Sequence, residues 1–167
     1  YEPGSVFKII TASSVLEEKV ISLNHSFTCT GTYESGGVTY HCWKLAGHGT
    51  QNFAQTLQNS CNPAFISYGQ ALGKEKFREY FQAFGLTQTT GIDLPGEAGS
   101  IYHTEEDFGI TELSSSSFGQ TFKVTALQLI TAVSAAVNGG ELMQPYVVKQ
   151  VVDEEKNVVS ETTPVVK

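Results

Sequence analysis

Apolar residues recur at helical spacing in several stretches of the chain, and each stretch predicts a helix that is buried on one face. The first stretch covers about Ser5 to Glu18, with apolar positions at Val6, Phe7, Ile9, Ile10, Val15 and Leu16. Further stretches begin at Thr50 or Gln51, at Pro63, at Lys74 and at Thr125. Proline suits the first turn of a helix, where its missing N–H costs nothing. Glycines after the last two stretches, at Gly85 and at Gly139-Gly140, mark their ends.

The segments between these helices have a different pattern. Residues 20–50 are rich in Thr, Val, Tyr and Gly, which predicts an irregular or β-rich insert. Residues 86–123 are rich in Gly, Ser and Thr, which predicts loops and short strands. Polar and apolar residues alternate on both sides of residues 153–157, so we expect a β-hairpin over residues 146–167.

Composition limits the possible functions. With 167 residues, of which 40% are hydrophobic, the chain is long enough for one domain with a core and too short to suggest two. A net charge of −7, with only 10 Lys and Arg residues, argues against a nucleic-acid partner. No run of about 20 apolar residues occurs, so no membrane-spanning segment is predicted. The chain has no initiator Met and no signal peptide and begins inside a motif, so we expect a fragment of a longer protein.

The first candidate for chemistry is the Ser5-x-x-Lys8 pair at the start of the first predicted helix. Residues three apart share one face of a helix, so the amine can reach the hydroxyl. A serine hydroxyl is a weak nucleophile and needs a base. Lysine can serve as that base only if its pKa falls well below its solution value of about 10.4. Taken alone, the pair also fits a helix-capping Ser with a solvated Lys.

The second candidate is Ser60-Cys61-Asn62, which follows the second predicted helix. A Ser-x-x-Lys element with a Ser-Asp-Asn element and a Lys-Thr-Gly element is the signature of penicillin-binding proteins and class A β-lactamases. Cys61 stands where that signature has Asp, while Ser60 and Asn62 keep the chemically necessary groups. No Lys-Thr-Gly occurs in the chain.

Four motifs in the same order resemble the transpeptidase domain of class B (monofunctional) penicillin-binding proteins, in their sporulation and cell-division branch. They are Glu2–Lys8, His48-Gly49 with Gln58–Phe65, Thr90–Glu97 and Ser117–Gln120. The resemblance implies a mainly α fold with small β content, the helical subdomain of the α/β penicillin-binding-protein and serine β-lactamase-like fold. It also implies that residues 1–167 form a partial domain in which the central sheet is largely missing.

The resemblance further implies the roles of individual residues. Ser5 would be the nucleophile, Lys8 its base and Ser60 a proton relay. Asn62 would hold Lys8 and a substrate amide by hydrogen bonds. Ser117, Gly119 and Gln120 belong to an element that lines the cleft in this family.

The implied activity is D,D-transpeptidation, which cross-links peptidoglycan stem peptides and is inhibited by covalent reaction with β-lactams. The implied partners are stem peptides, β-lactams and cell-wall synthesis proteins, with no cofactor. The implied location is the extracytoplasmic face of the bacterial membrane, through an N-terminal anchor outside these residues. Since the Lys-Thr-Gly strand supplies an oxyanion donor in the family, we expect the isolated fragment to be inactive.

Two other functions stay open. A β-lactamase or D,D-carboxypeptidase would use the same serine chemistry but transfer the acyl group to water, and it would need a dedicated deacylating base. A penicillin sensor or a scaffold module would not be catalytic. The sequence contains no Glu in a context that resembles the class A deacylation loop.

Cys29, Cys42 and Cys61 form an odd set, so at least one is a free thiol or pairs with another chain. Our hypothesis is a redox-dependent disulfide between Cys42 and Cys61, with Cys29–Cys42 as the competing pair. An inert buried Cys61 is the simpler interpretation. His41 next to Cys42 is suggestive of zinc, but such a site needs more ligands at tighter spacing, so no metal is predicted.

Overall fold

A computed structural model of the chain describes residues 1–167 and contains six α-helices and six short strands. A 3₁₀ turn over Gly4–Phe7 leads directly into the first helix. The helices are α1 (Lys8–Glu17), α2 (Phe53–Gln58), α3 (Asn62–Leu72), α4 (Lys74–Ala83), α5 (Ile110–Ser116) and α6 (Ala126–Val137). The strands are β1 (Ser26–Cys29), β2 (Thr32–Ser35), β3 (Val38–His41), β4 (Gly49–Asn52), β5 (Gln150–Val152) and β6 (Val158–Glu161).

Helix α3 lies at the centre of the core and packs against α1, α4 and α5. Its side chains Phe65, Ile66 and Tyr68 have no exposed surface. Phe7, just before α1, contacts an aromatic cluster formed by Phe77, Phe81 and Phe122. Burial of apolar surface is the main driving force of folding, and these aromatic side chains join the start of α1 to α4.

The β-rich insert between α1 and α2 consists of two antiparallel pairs. Strand β1 pairs with β4 and places Cys29 opposite Gly49, while β2 and β3 form a hairpin between them. Both residues of the hairpin turn, Gly36 and Gly37, have positive φ, as a two-residue type I′ turn requires.

Helix α2 begins later than the predicted Thr50 or Gln51. Both residues lie in β4, and the helix starts after Asn52. The Asn52 side chain accepts a hydrogen bond from the Gln55 backbone N–H, and the Gln55 side chain accepts one from the Asn52 backbone N–H. This capping box marks the helix start, and pairing with β1 keeps the preceding residues extended.

Helix α5 lies in the segment for which the sequence predicted only loops and short strands. Serine favours turns in isolation, but here the hydroxyls of Ser114, Ser115 and Ser117 each donate to the carbonyl four residues earlier. The serines are buried against the rest of the molecule, so tertiary packing overrides their weak helix propensity.

The remaining features agree with a mainly α fold of small β content. Helices α1, α3, α4 and α6 lie within two or three residues of their predicted bounds. Strands β5 and β6 form the C-terminal antiparallel pair. None of the helices combines the length and the hydropathy of a membrane-spanning segment.

Replacement of Gly69 by Ala is expected to destabilise the fold. A Cβ at this position in α3 would lie 1.7 Å from the Oγ atom of Ser117 and 2.6 Å from its Cβ atom. Overpacking of this kind costs about 1–3 kcal/mol, which outweighs the gain of about 1 kcal/mol in helix propensity. Denaturant unfolding should therefore give a lower free energy of unfolding for Gly69→Ala.

Gly99→Ala is the matched control, because a Cβ there would have no neighbour within 4 Å and the backbone is not left-handed. It should change the free energy of unfolding by less than about 0.5 kcal/mol. Equal stability of the two variants would contradict the close approach of α3 and α5.

Candidate active site

Ser5 and Lys8 lie where the 3₁₀ turn passes into α1, as their spacing predicts. Ser5 is exposed, whereas Lys8 is buried with only 1% of its surface accessible. The Nζ atom of Lys8 is 3.2 Å from the Oγ atom of Ser5. An accessible hydroxyl thus stands next to an amine that is shielded from solvent.

The second motif surrounds the same amine. Lys8 Nζ is 2.9 Å from both the Oγ atom and the carbonyl oxygen of Ser60, and 2.6 Å from Oδ1 of Asn62. Asn62 in turn donates from Nδ2 to the carbonyl oxygen of His41, at 3.2 Å. Residues more than 50 positions apart in the chain therefore form one hydrogen-bonded group.

The charge state of Lys8 follows from this environment. Both ion pairs of the structure involve Lys76, so no carboxylate compensates the Lys8 charge. Burial lowers the pKa of Lys8 from its ordinary 10.5 to about 8, although the nearby Cys61 and Cys42 oppose this effect. Four oxygens surround an amine that has two N–H donors when it is neutral. Two of these oxygens can then accept hydrogen bonds from the neutral amine, and the lone pair of its nitrogen is free to accept the proton of Ser5.

Ser60 has a strained backbone that orients its hydroxyl. Its φ is +51°, and it follows the end of α2 at the position where a glycine commonly sits. The N–H of Ser60 donates to the Leu57 carbonyl and the N–H of Cys61 to the Thr56 carbonyl, which is the Schellman pattern of a helix end. A left-handed non-glycine residue costs about 1–2 kcal/mol. Glycine would avoid that cost but has no hydroxyl to offer Lys8.

Gly119 fixes the backbone that carries Ser5. Its φ is +88°, and the N–H of Gly4 donates to its carbonyl oxygen at 2.8 Å. A Cβ on Gly119 would lie 2.0 Å from the carbonyl oxygen of Gly4. Gly119 is thus buried and supports the turn next to Ser5, and its predicted substrate-binding role stays a prediction.

Ser117 lies in the same buried segment. Its side chain is fully buried, its Oγ atom donates to the Leu113 carbonyl, and its own carbonyl accepts from Thr11. The side chain of Ser117 thus packs within the protein, and its predicted substrate-binding role stays a prediction. Gln120 is exposed at the end of the same segment, and its predicted contact with substrate stays a prediction.

The three cysteines are free thiols, so neither predicted disulfide is present. Their sulfur atoms and a ring nitrogen of His48 all lie within 4.8 Å of one another, a proximity that their spacing in the sequence does not indicate. Burial raises the pKa of the Cys61 thiol to about 12. Burial acts in the same direction on Cys29, but hydrogen bonds from the backbone N–H groups of His48 and Gly31 and from the neighbouring thiols together lower the pKa of Cys29. His48 was missed as a partner because the contact depends on the pairing of β1 with β4.

The amino-acid sequence is similar to those of known penicillin-binding proteins. The penicillin binding protein transpeptidase domain model matches residues 1–167. Stage V sporulation protein D of Bacillus subtilis is 46% identical, over 100% of this chain and 26% of that protein. Penicillin-binding protein PbpB of Mycobacterium tuberculosis is 30% identical, over 98% of this chain and 24% of that protein. The chain thus spans about a quarter of the length of these relatives.

Solved structures with the same fold include penicillin binding protein 3 of Mycobacterium tuberculosis complexed with ampicillin. Its TM-score is 0.89 at 28% identity, and the match covers 99% of this chain and 37% of that one. The D,D-transpeptidase domain of a peptidoglycan glycosyltransferase from Eggerthella lenta gives a TM-score of 0.88 at 27% identity. That match covers 100% of this chain and 44% of that one.

The left-handed backbone of Ser60 predicts an unusual order of stability for two variants. Ser60→Gly and Ser60→Ala both remove the hydroxyl, but only glycine adopts a positive φ without strain. We expect Ser60→Gly to be more stable than Ser60→Ala by about 1 kcal/mol in denaturant unfolding. In an ordinary helix position the order is reversed, so an Ala variant as stable as the Gly variant would rule out the strained conformation.

Proposed function

The chain belongs to the penicillin-binding protein transpeptidase domain family, and from this membership we propose that it supplies the nucleophilic half of a serine D,D-transpeptidase site. The observation that carries the proposal is that the buried amine of Lys8 is hydrogen bonded to the side chains of Ser5, Ser60 and Asn62. The substrate would be the D-alanyl-D-alanine end of a peptidoglycan stem peptide.

In the proposed acylation step, the Oγ atom of Ser5 attacks the carbonyl carbon of the penultimate D-alanine. The neutral amine of Lys8, 3.2 Å from Ser5, accepts the hydroxyl proton as the new C–O bond forms. The peptide C–N bond then breaks, and a proton passes from Lys8 through the Ser60 hydroxyl to the leaving D-alanine. The product is an acyl ester on Ser5.

Stabilisation of the oxyanion usually contributes more to the rate of acyl transfer than any other single effect. We assign one donor to the backbone N–H of Ser5, at the start of the 3₁₀ turn that Gly119 supports. In the family a second donor comes from the strand that bears Lys-Thr-Gly, a sequence that does not occur among these 167 residues. We therefore propose that efficient acylation requires that strand.

The second half of the reaction distinguishes transfer from hydrolysis. In a transpeptidase, the amino group of a neighbouring stem peptide attacks the acyl ester and forms the cross-link, and Lys8 again moves the proton. A β-lactamase or carboxypeptidase would instead need a base for water. No carboxylate is hydrogen bonded to Ser5, Lys8, Ser60 or Asn62, which supports transfer over hydrolysis.

The proposal extends to location and partners. Peptidoglycan lies outside the cytoplasmic membrane, so the domain would act at the extracytoplasmic face, through an anchor elsewhere in the protein. The relatives include a sporulation protein and a probable peptidoglycan D,D-transpeptidase, FtsI of Caulobacter vibrioides. We propose proteins of the cell-wall synthesis machinery as partners and β-lactams as covalent inhibitors.

Acylation of Ser5 by a penicillin tests the proposal directly. We expect intact-mass spectrometry of the complete protein to show one added penicillin per chain, with the adduct on the peptide that contains Ser5. The adduct should persist for many minutes, because no carboxylate is hydrogen bonded to Ser5, Lys8, Ser60 or Asn62 to activate water. Rapid loss of the adduct with release of penicilloate would instead favour the β-lactamase function.

Ser5→Ala should form no adduct, and Ser13→Ala is its matched control. Ser13 also lies in this helical region, but its hydroxyl donates to the Ile9 carbonyl and does not contact Lys8. An adduct that survives Ser5→Ala would overturn the assignment of the nucleophile. No adduct on the wild-type protein would favour the non-catalytic module.

The rate of acylation is expected to rise with pH to a plateau, with a midpoint near 8. Only the unprotonated amine of Lys8 can accept the Ser5 proton, and burial lowers its pKa from 10.5 to about 8. Below the midpoint the ammonium form predominates, and each further decrease of one pH unit should lower the rate about tenfold. Stopped-flow acylation with a chromogenic β-lactam measures this profile. A rate that does not vary between pH 6 and 9 would exclude Lys8 as the base.

A further inference from the structure

Four potential metal ligands converge beside the second motif, and the proposed mechanism uses none of them. Cys29 ends β1, Cys42 directly follows β3, His48 directly precedes β4, and Cys61 caps the N-terminus of α3. The three cysteines have at most 2% of their surface exposed. Their sulfur atoms and a ring nitrogen of His48 lie within 4.8 Å of one another.

The spacing of these atoms is close to that of a tetrahedral metal centre. Bond lengths of about 2.3 Å for Zn–S and about 2.0–2.1 Å for Zn–N place neighbouring ligands about 3.6–3.8 Å apart. The Sγ atom of Cys42 is 3.5 Å from Nδ1 of His48, which matches such an edge. A contraction of about 1 Å in the longest separations would complete the geometry.

The backbone around the ligands is folded for close approach. Gly31 and Gly47 both have left-handed φ, and a Cβ on either would lie within 2.3 Å of a facing carbonyl oxygen. The N–H of Cys42 donates to the Gly31 carbonyl at 2.8 Å, which joins the loop after β3 to the segment after Cys29. The two loops thus approach each other closely enough to leave no room for a side chain at Gly31 or Gly47, beside Cys29 and Cys42.

The ring of His48 packs edge-on against Trp43, with ring centroids 5.2 Å apart, which turns it toward the cysteines. Its Nδ1 atom is 3.5 Å from the sulfur of Cys42, and no other hydrogen bond of this nitrogen is present. A disulfide would join only two of the three sulfurs and would leave the third thiol and His48 unaccounted for. A metal ion would use all four groups.

We propose that Cys29, Cys42, His48 and Cys61 bind one structural zinc ion. Three thiolates and one imidazole form a closed tetrahedral set of the kind that zinc prefers, with no position left for water. Binding releases the thiol protons to solvent. The ion ties the β-rich insert to the N-terminus of α3, directly between Ser60 and Asn62.

Metal analysis of the purified protein tests this proposal. The protein is prepared with a reductant and without chelators, and its metals are quantified by mass spectrometry. We expect one zinc per chain, and we expect its removal by a strong chelator to lower the unfolding temperature until zinc is restored. Zinc below about one tenth of an equivalent, even after incubation with zinc and reductant, would overturn the proposal.

His48→Ala and His41→Ala form a matched pair, because His41 adjoins Cys42 but lies outside the ligand group. We expect His48→Ala to lose zinc to a competing chelator at least about tenfold more readily than the wild-type protein, with His41→Ala unchanged. Equal zinc retention by the two variants would remove His48 from the site.

Cobalt substitution of the wild-type protein avoids any variant that fails to fold. Tetrahedral Co²⁺ with three thiolates should give intense visible bands and a thiolate charge-transfer band proportional to the number of sulfurs. A weak octahedral spectrum, or a Cys42–Cys61 or Cys29–Cys42 disulfide in non-reducing peptide mapping under the same conditions, would contradict the proposal. None of these measurements uses acylation, so their outcome is independent of the proposed transpeptidase function.

Discussion

The burial of one amine is the constraint on which the rest of the site depends. Lys8 is 1% exposed and has no carboxylate partner, so its charge must be satisfied by neutral oxygens or be lost. Ser60 and Asn62 supply those oxygens from the junction of α2 and α3. An ion pair would keep the amine protonated. With neutral oxygens around it and burial lowering its pKa to about 8, a fraction of the Lys8 amine is unprotonated near neutral pH and can act as a base.

Backbone conformations that few residues adopt hold the two halves of the site in place. Ser60 has a left-handed conformation at the end of α2, and Gly119 has one against the turn that carries Ser5. The first is strained because the position needs both a positive φ and a hydroxyl. The second is not strained, since it needs only the absence of a side chain. Strain therefore falls on the residue whose side chain contacts Lys8.

Sequence reasoning reached the helices and the Ser5–Lys8 pair because both depend on local spacing. The approach of Ser60 and Asn62 to Lys8 followed from a resemblance between motifs, since no local pattern encodes a contact across more than 50 residues. Helix α5 was missed because its serines satisfy their hydroxyls on backbone carbonyls and are buried, which composition does not indicate. The burial of Ser117 and Gly119 was not foreseen, because the motif that contains them does not indicate how it packs.

Cys61 shows how one short motif can serve two environments. Ser60 and Asn62 both face Lys8, while the side chain between them joins Cys29, Cys42 and His48. This division is possible because α2 ends just before Ser60 and α3 begins at Asn62, so the chain changes direction at Cys61. A metal ion bound to Cys61, as proposed above, would restrain Ser60 and Asn62 without contacting the amine of Lys8. Lys8 is held by the Ser60 hydroxyl at 2.9 Å and by the Asn62 amide oxygen at 2.6 Å, so such restraint acts on the geometry of the proposed proton acceptor.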